Sequence, residues 1–381
     1  MRVMDRNKIK YLFIYTLLIC FSTTYAQKNQ VYSFPDREFQ SAQELYRLEQ
    51  YGAAKKKFTI VYEAIPEKYD IRKEKSLYYM GICAALLYHE DAEKLIVSFI
   101  ELYPENSQLN PLWFYLGNYY FAKNSYHKAI NAYENIEERL INSENIAEYE
   151  FKKGYAYFVT EKYNEAKPLL AKAKDKESQY QLKALFYYSH ILYLEKNYNS
   201  ALIGFQKLRN EDNYSSIVPF YITHIYFALG QYEDIIQQAP ELLAKSSQKR
   251  LSEMNRIIAQ SHFQVKQYKE AIPYFETYLE KTEILTCEDF YEVGICYYKE
   301  KQYDKAINHL TKSFCKDNDS VNQYIYFTLA DCYLKTGQKE FASTAFLSAY
   351  ELKKNPILTE DALFAYAKLQ YELTTNPFVP S

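Results

Sequence analysis

A short phrase returns along almost the whole chain, and its period constrains the fold more than any other feature. In the clearest copies a tyrosine precedes an alanine by three residues: Tyr126 and Ala129, Tyr163 and Ala166, Tyr198 and Ala201, Tyr268 and Ala271, and Tyr303 and Ala306. With weaker copies included, the alanine slot falls at residues 54, 92, 129, 166, 201, 235, 271, 306 and 342, so successive spacings run from 34 to 38 residues. Self-similarity at such a period is typical of a repeat protein, in which each unit packs on its neighbours.

Each unit contains a second small residue, twelve positions before the alanine slot. These residues are Ala42, Gly117, Gly154, Ser189, Thr223, Ala259, Gly294 and Ala330, with Gly81 one residue nearer its slot. A bulky apolar residue follows the alanine slot by four positions in nearly every unit, as Leu310 does. Two small positions separated by a polar joint allow two antiparallel helices to cross closely, so each unit is predicted to be a helical hairpin.

The composition agrees with helices that are joined by short polar turns. The chain has 43 Tyr and 23 Phe but only 8 Gly and 11 Pro. An all-β sandwich or a doubly wound α/β enzyme needs many more turns, and turns draw on Gly and Pro. We therefore predict an all-α fold.

This pattern resembles the tetratricopeptide repeat, whose Gly, Tyr, Ala and Phe slots correspond to Gly294, Tyr297, Ala306 and Leu310. The resemblance covers residues 37–373. It implies a right-handed superhelical solenoid of about nine hairpins plus a final helix, with a concave face built mainly from the first helix of each hairpin. The aromatic-rich repeats are also similar to those of exported cell-envelope proteins of Bacteroidetes-type bacteria.

The first 26 residues have the pattern of a secretory signal peptide. A basic start from Arg2 to Lys10 precedes a short apolar run over residues 11–21, and Ala26 provides a small residue before the expected cleavage site. The alternative is an anchor helix, but the run is shorter than the roughly 20 residues that span a bilayer. Ile19 before Cys20 argues against a lipoprotein signal. We expect a signal peptide over 1–26, a linker over 27–36, the solenoid over 37–373 and a tail over 374–381.

This organisation predicts an exported protein of the periplasm, or of the periplasmic face of the outer membrane, in a Gram-negative bacterium. Residues 1–26 contain four basic residues and one acidic residue, so removal leaves 46 − 4 = 42 basic and 48 − 1 = 47 acidic residues, a net charge of −5. No basic block remains for nucleic acid or for an anionic membrane surface. We expect no nucleic-acid partner and no membrane insertion after removal of the signal; the oligomeric state is left open.

The sharpest functional candidate is a track of aromatic and polar residues on the first helices. Residues three before and four after the small slot are seven apart, so they share one helix face, and the residue after the slot lies between them. The predicted partner-binding residues are Phe114, Asn118, Phe121, Phe151, Tyr155, Phe158, Phe186, His190, Tyr193, Phe220, His224 and Phe227. Such a track suits an extended peptide or short helix of a protein partner.

Two alternatives stay open for this track. Aromatic residues at helical spacing are also common in hydrophobic cores. In that case these rings pack one first helix against the next. Aromatic rings stack on sugars as well, which would make the chain a glycan-binding component of an envelope uptake system.

The sequence contains no catalytic motif. It has no dinucleotide or phosphate loop, no His-Glu-x-x-His and no Cys-x-x-Cys. We expect a non-catalytic scaffold that has neither a cofactor nor a metal site. His190 and His224 share one groove slot in adjacent units, and ordinary polar roles are favoured over a metal or pH-sensitive contact.

Three cysteines share one repeat position. Cys83, Cys296 and Cys332 each follow the small slot of their unit by two residues, which predicts a common packing role. A bridge that involves Cys287 or Cys315 is left open. The count of five cysteines after signal removal leaves at least one thiol unpaired.

The last repeat looks incomplete. Residues 362–373 fit the first-helix pattern, with Phe364 and Tyr371 at the two ring positions, and no second helix is predicted after them. One hypothesis is a truncated version of a longer protein; the other is a tail that folds back as a cap or pairs with a partner.

Overall fold

The computed structural model describes residues 34–68, 70–316 and 318–375, without the side chains of Gln248 and Lys249. The predicted signal peptide over 1–26 lies outside the described residues, as do residues 27–33 of the linker and 376–381 of the tail. The described residues form helices and joints, with no strand among them. The all-α prediction is confirmed.

The helices follow one another in pairs. In chain order they are α1 Phe34–Arg47, α2 Tyr51–Ala64, α3 Ile71–Leu86, α4 Ala92–Leu102, α5 Leu109–Ala122, α6 Tyr126–Glu134, α7 Ser143–Val159, α8 Tyr163–Lys174, α9 Gln181–Leu194, α10 Tyr198–Leu208, α11 Val218–Ala228, α12 Tyr232–Lys245, α13 Gln248–Gln264, α14 Tyr268–Lys281, α15 Cys287–Lys299, α16 Tyr303–Leu310, α17 Asp319–Lys335, α18 Lys339–Leu352 and α19 Pro356–Thr375. A short 3₁₀ helix, Glu138–Leu140, lies between α6 and α7. These are the nine predicted hairpins, α1 and α2 through α17 and α18, followed by one more helix.

The ends of the helical region differ slightly from the prediction. The first described residues, 34–36, are already helical, ahead of the predicted solenoid start at residue 37. The last helix begins at Pro356 and extends to Thr375.

A left-handed residue ends the first helix of every hairpin. These nine residues have φ between 55° and 79°: Glu49, Tyr88, Asn124, Glu161, Lys196, Gly230, Lys266, Lys301 and Gly337. At the α15 joint the Gln302 N–H donates to Tyr297 O (2.9 Å) and the Lys301 N–H donates to Tyr298 O (3.0 Å). This pattern satisfies the last carbonyls of the helix and reverses the chain.

The small slots lie where the two helices of a hairpin approach each other. A Cβ atom added to Gly117 would lie 2.4 Å from the Tyr133 ring, and one added to Gly294 would lie 2.6 Å from the Leu310 side chain. Both contacting side chains are fully buried. The bulky slot of the second helix therefore fills the space that the small slot leaves open.

The chain divides into two compact units, residues 1–184 and 185–381. In the first, Phe58, Phe99 and Leu112 are among the fully buried side chains. In the second, Phe205, Phe275 and Leu310 have the same role. Each unit therefore has its own buried core, to which bulky slots such as Phe58 and Phe205 contribute.

The helix α19 exposes three large side chains at heptad spacing. Ile357, Phe364 and Tyr371 are 72%, 74% and 70% exposed. Phe364 and Tyr371 are the residues that the repeat pattern places at the ring positions. The structure therefore confirms the final helix and shows its ring positions uncovered by the described residues.

Among the described residues, no helix has the combination of length and apolar character that crossing a membrane requires.

Candidate functional site

The predicted track divides equally between the two units. The helices α5 and α7 of the first unit carry residues 114, 118, 121, 151, 155 and 158. Residues 186, 190, 193, 220, 224 and 227 lie on α9 and α11 of the second unit. The structure brings residues together within each set of six.

In the first unit, the ring row before the small slot is buried. Phe114 and Phe151 are each only 6% exposed. Phe151 stacks on Tyr180 with ring centroids 5.2 Å apart. These two rings therefore stabilise the helix packing, as the alternative that the aromatic residues serve as core predicts.

The ring row after the small slot is half-buried in the same unit. Phe121 lies 5.6 Å from Tyr155, and Tyr155 stacks on Phe158 at 6.4 Å. Tyr126 closes the group from the second helix, with its ring 5.7 Å from Phe121. Phe121, Tyr155 and Phe158 each keep a part of the ring accessible to solvent, so this row is the better candidate for partner contact.

Asn118 is engaged within the protein. Its Oδ1 accepts a hydrogen bond from the Tyr133 hydroxyl (2.7 Å), and its Nδ2 donates to Glu148 Oε1 (3.1 Å). Burial raises the pKa of Tyr133 far above its ordinary value, so this hydroxyl stays protonated and donates. The Asn118 side chain therefore links α6 to α7, and a ligand would compete with these bonds.

In the second unit, a tyrosine that the prediction omitted lies at the centre of the track. Tyr221 stacks on the buried Phe205 at 4.9 Å and lies 5.0 Å from His190 and 5.5 Å from Tyr193. Phe186 is buried and stacks on Tyr214 at 5.3 Å. Tyr221 occupies the position two before the small slot.

The sequence did contain a signal for Tyr221. The same position holds Tyr79, Tyr115 and Tyr187 in other units. This third column of tyrosines has the spacing of the repeat, and it adds aromatic area beside the two predicted rows.

His190 and His224 have separate surroundings. Burial lowers the pKa of His190, whose ring packs against Phe186 and Tyr221. Burial also lowers the pKa of His224, and Glu253 opposes this shift, because His224 Nε2 lies 3.2 Å from Glu253 Oε1. The two histidines therefore have different contacts, and the favoured prediction of ordinary polar roles stays a prediction.

Phe220 and Phe227 complete the second set. Phe220 lies 4.3 Å from the His224 ring, and the Arg250 guanidinium lies 4.7 Å from the Phe220 centroid. Phe227 contacts Tyr232 at 5.4 Å. Both phenylalanines are half-buried, so α11 presents partly accessible rings at both ring positions.

An arginine replaces the ring of the first row on α13. The Nε atom of Arg256 lies 3.1 Å from Oδ1 of Asp289, a carboxylate that is fully buried. Asp289 Oδ2 also accepts hydrogen bonds from the Thr286 N–H and the Tyr278 hydroxyl. Removal of Arg256 would leave a buried charge without its counter-ion, so this pair has a structural role.

The cysteines separate into two classes. Cys83, Cys296 and Cys332 are buried free thiols, which confirms their packing role, and burial raises the pKa of both Cys83 and Cys332 to about 12. Cys287 at the start of α15 forms a disulfide with Cys315, which lies between α16 and α17. The bridge that the sequence left open therefore joins these two residues.

One group of potential metal ligands occurs among the described residues. Cys287, Glu288 and Cys315 bring a sulfur, a carboxylate oxygen and a second sulfur within 4.8 Å of one another. The two sulfurs are bonded to each other. Since a metal would need them as thiolates, the oxidised pair does not offer such a site.

Residues 324–356, within α17 and α18 and the joint that follows, match the family model of the tetratricopeptide repeat. This match supports the repeat type that the sequence pattern predicts. No curated protein matches the chain significantly.

Several solved structures are similar to parts of the chain or to most of it. YrrB, described as a TPR protein with an unusual peptide-binding site, is 16% identical over 51% of this chain and 96% of its own, with a TM-score of 0.43. MamA from Desulfovibrio magneticus RS-1 is 16% identical over 45% of this chain and 95% of its own, with a TM-score of 0.38. The apo form of RapI is 14% identical over 91% of this chain and 100% of its own, with a TM-score of 0.39. At such identities no ligand is carried over to this chain.

Proposed function

We propose that this chain is a non-catalytic protein-interaction scaffold that binds a peptide or short helix of a partner on the first helices. One observation carries the proposal: in each unit, half-buried aromatic rings lie on successive first helices and contact aromatic neighbours. In the first unit Phe121 on α5 reaches Tyr155 on α7. In the second, Tyr193 on α9 reaches Tyr221 on α11.

Such rings are suited to recognition for two physical reasons. Tyrosine and phenylalanine offer a large contact area while only two side-chain torsions need to be fixed, so little entropy is lost on binding. Their neighbours already hold them in place, as Tyr126 holds Phe121, which reduces the cost further. The accessible edges therefore form a preorganised apolar surface for a partner side chain.

We propose further that the scaffold works in the cell envelope of a Bacteroidetes-type bacterium, on the periplasmic side. The signal-like pattern of residues 1–26 supports this location. The Cys287–Cys315 disulfide adds support, because disulfides persist in oxidising compartments. Cell fractionation combined with mass analysis of the mature N-terminus tests it; a cytoplasmic protein that retains Met1 would refute it.

Site-specific photocrosslinking tests the interaction surface. A photoreactive phenylalanine analogue replaces Phe158, the half-buried ring at the end of α7, in cells that express the full chain. The matched control places the same analogue at Val159, the next residue on the same helix and 40% exposed. We expect a crosslinked protein partner at position 158 that is weak or absent at position 159.

A binding measurement completes this test. A synthetic peptide that covers the crosslinked segment should bind the purified chain, and Phe158→Asn should weaken it at least tenfold while Val159→Asn leaves it unchanged. Equal crosslinking at the two positions, or equal binding by the two variants, would contradict the proposed surface.

A further inference from the structure

A cavity of about 270 Å³ lies in the first unit, and residues of four successive first helices line it. Tyr46 comes from α1, Tyr78 from α3, Phe114 from α5 and Asn145 from α7. Tyr78 and Phe114 are buried, whereas Tyr46 and Asn145 are half-buried. The cavity therefore opens on the first-helix face but lies apart from the rings of Phe121, Tyr155 and Phe158, none of which line it.

Four residues with side-chain carboxamides line this cavity, which is called the amide-lined cavity: Gln108, Asn110, Asn142 and Asn145. Three of them, Gln108, Asn142 and Asn145, differ from Asn110 in their hydrogen bonding. Gln108 and Asn142 precede α5 and α7 directly, and neither caps its helix through its side chain. Within the described part of the chain, none of the three carboxamides has a hydrogen-bond partner. Gln108 and Asn142 are exposed and Asn145 is half-buried, so each has a donor and an acceptor that a ligand can take over from solvent.

Asn110, the fourth carboxamide of the lining, shows the contrast. Its Nδ2 donates to Glu137 O (3.1 Å) and its Oδ1 accepts from the Glu137 N–H (2.7 Å). The protein thus uses one carboxamide of this region for its own backbone and leaves the other three unengaged. The hydroxyls of Tyr46 and Tyr115 hydrogen-bond to each other, and burial raises the pKa of both, so they remain protonated.

The amide-lined cavity has no charged residue among those that line it in the described structure. Charged residues make up 25% of the chain, so their absence from the lining of a surface cavity is a chemical property of the site. A charged ligand would lose its hydration here without gaining a counter-ion. A purely apolar ligand would leave the carboxamides unpaired, at a cost of about 1–3 kcal/mol for each group that is buried.

We propose that the amide-lined cavity binds a neutral sugar ring. Hydroxyl groups that both donate and accept match the carboxamides and phenols, while the apolar face of the ring packs on the aromatic walls. The volume is close to the lower limit of about 300 Å³ for ligand pockets, which suits one ring. This site is separate from the peptide surface of the proposed function.

Ligand-observed NMR on the purified chain tests the proposal. The probes are the neutral methyl glycosides of glucose, galactose, mannose and N-acetylglucosamine, with methyl glucuronide as the charged comparison. We expect saturation transfer to at least one neutral glycoside, with a millimolar or tighter dissociation constant, and at least tenfold weaker binding of the glucuronide.

Two variants locate the binding. Asn145→Ala and Gln108→Ala remove unengaged carboxamides, so both should fold, and each should weaken the neutral glycoside about tenfold. The matched control is Asn199→Ala, which changes an exposed asparagine of α10 in the second unit and should leave binding unchanged. Circular dichroism of each variant confirms that the helices are retained.

Three results would overturn the proposal. The first is no binding of any neutral glycoside at millimolar concentration. The second is unchanged binding in both Asn145→Ala and Gln108→Ala. In the third, none of the glycosides binds, whereas the capped, uncharged tripeptide Pro-Tyr-Pro binds and Asn145→Ala abolishes its binding. That result would assign the cavity to a peptide ligand.

Discussion

Replacement of Gly117 by alanine tests whether the small slot sets the distance between the two helices of a hairpin. A Cβ atom at this position would lie 2.4 Å from Cε1 and 2.6 Å from Cδ1 of Tyr133. The Tyr133 side chain is fully buried, so its ring has no open space to enter. Its hydroxyl is also held by Asn118 at 2.7 Å. Either the ring tilts or α5 and α6 separate.

The expected magnitude follows from three contributions. Overpacking of a core costs about 1–3 kcal/mol. A displaced Tyr133 hydroxyl that loses its partner in a buried position adds about 1–3 kcal/mol. Alanine is a better helix former than glycine by about 1 kcal/mol, which opposes the first two. These contributions add to a net loss of about 1–5 kcal/mol in the free energy of unfolding, with a central value of about 3 kcal/mol.

Urea unfolding followed by circular dichroism measures the change, and hydrogen exchange of α5 and α6 shows whether it is local. Gly52→Ala is the matched control, since a Cβ at Gly52 has nothing within 4 Å, and its stability should stay equal or rise by up to about 1 kcal/mol. The double variant with Tyr133→Leu should recover part of the loss, because leucine fills the corresponding slot at Leu310. If Gly117→Ala is as stable as Gly52→Ala, the close approach does not control the hairpin.

Three further predictions concern the joints, the disulfide and a histidine. Lys301→Gly should stabilise the chain by about 0.5–1 kcal/mol in urea unfolding, because Lys301 has a φ of 58°, which glycine adopts without strain. Cys287→Ser should destabilise the second unit by about 3–4 kcal/mol, since the bridge to Cys315 closes a loop over a sequence separation of 28 residues; equal stability with and without reductant in the unmutated chain would contradict this. Burial holds the pKa of His190 below its ordinary value, so the unfolded chain binds a proton at this histidine more readily than the folded chain does. The folded chain should therefore lose stability as the pH falls below the ordinary histidine pKa. His190→Gln should reduce this acid sensitivity in urea unfolding at pH 7 and pH 5, whereas His127→Gln, at an exposed site, should not.

The repeat pattern predicted the hairpins because it follows directly from helix contact. A small residue and a bulky residue at fixed spacing are what two crossing helices need, as Gly294 and Leu310 show. The joints were harder to predict. Seven of the nine left-handed positions hold residues other than glycine, such as Glu161 and Lys301, so the sequence lacks the glycine that normally marks such a turn. The packing of both helices imposes that conformation, and the local preference is overridden.

The cysteine pair shows a similar limit. Cys287 and Cys315 occupy unrelated positions of the repeat. The repeat pattern that groups Cys83 with Cys296 and Cys332 therefore does not predict that these two cysteines pair. Their contact depends on the path of the segment after α16, where Asn322 accepts from the Cys315 N–H and donates to the Cys315 carbonyl. Such a path is set by tertiary contacts and not by spacing.

The exposure of the ring rows also depends on the neighbours of each ring. Phe114 and Phe220 occupy the same repeat position, yet the first is buried and the second is half-buried beside Arg250. A single sequence position therefore does not decide between packing and recognition. The amide-lined cavity was missed for the same reason, because Gln108, Asn142 and Asn145 lie near joints and outside the repeated slots.

The exposed fraction of each ring therefore determines what the ring contributes to stability. A ring such as Phe151, with 6% of its surface exposed, contributes nearly all of its apolar area to the fold, whereas Phe158 keeps an accessible edge. Truncation of a buried phenylalanine costs about 3–5 kcal/mol, and truncation of a half-buried one costs less because less area leaves water on folding. It follows that substitution of a buried ring such as Phe151 acts mainly on stability, whereas substitution of Phe158 costs less stability and, under the proposed function, acts on binding. Burial of each ring, and not its repeat position, decides which effect dominates, as the buried Phe114 and the half-buried Phe220 show.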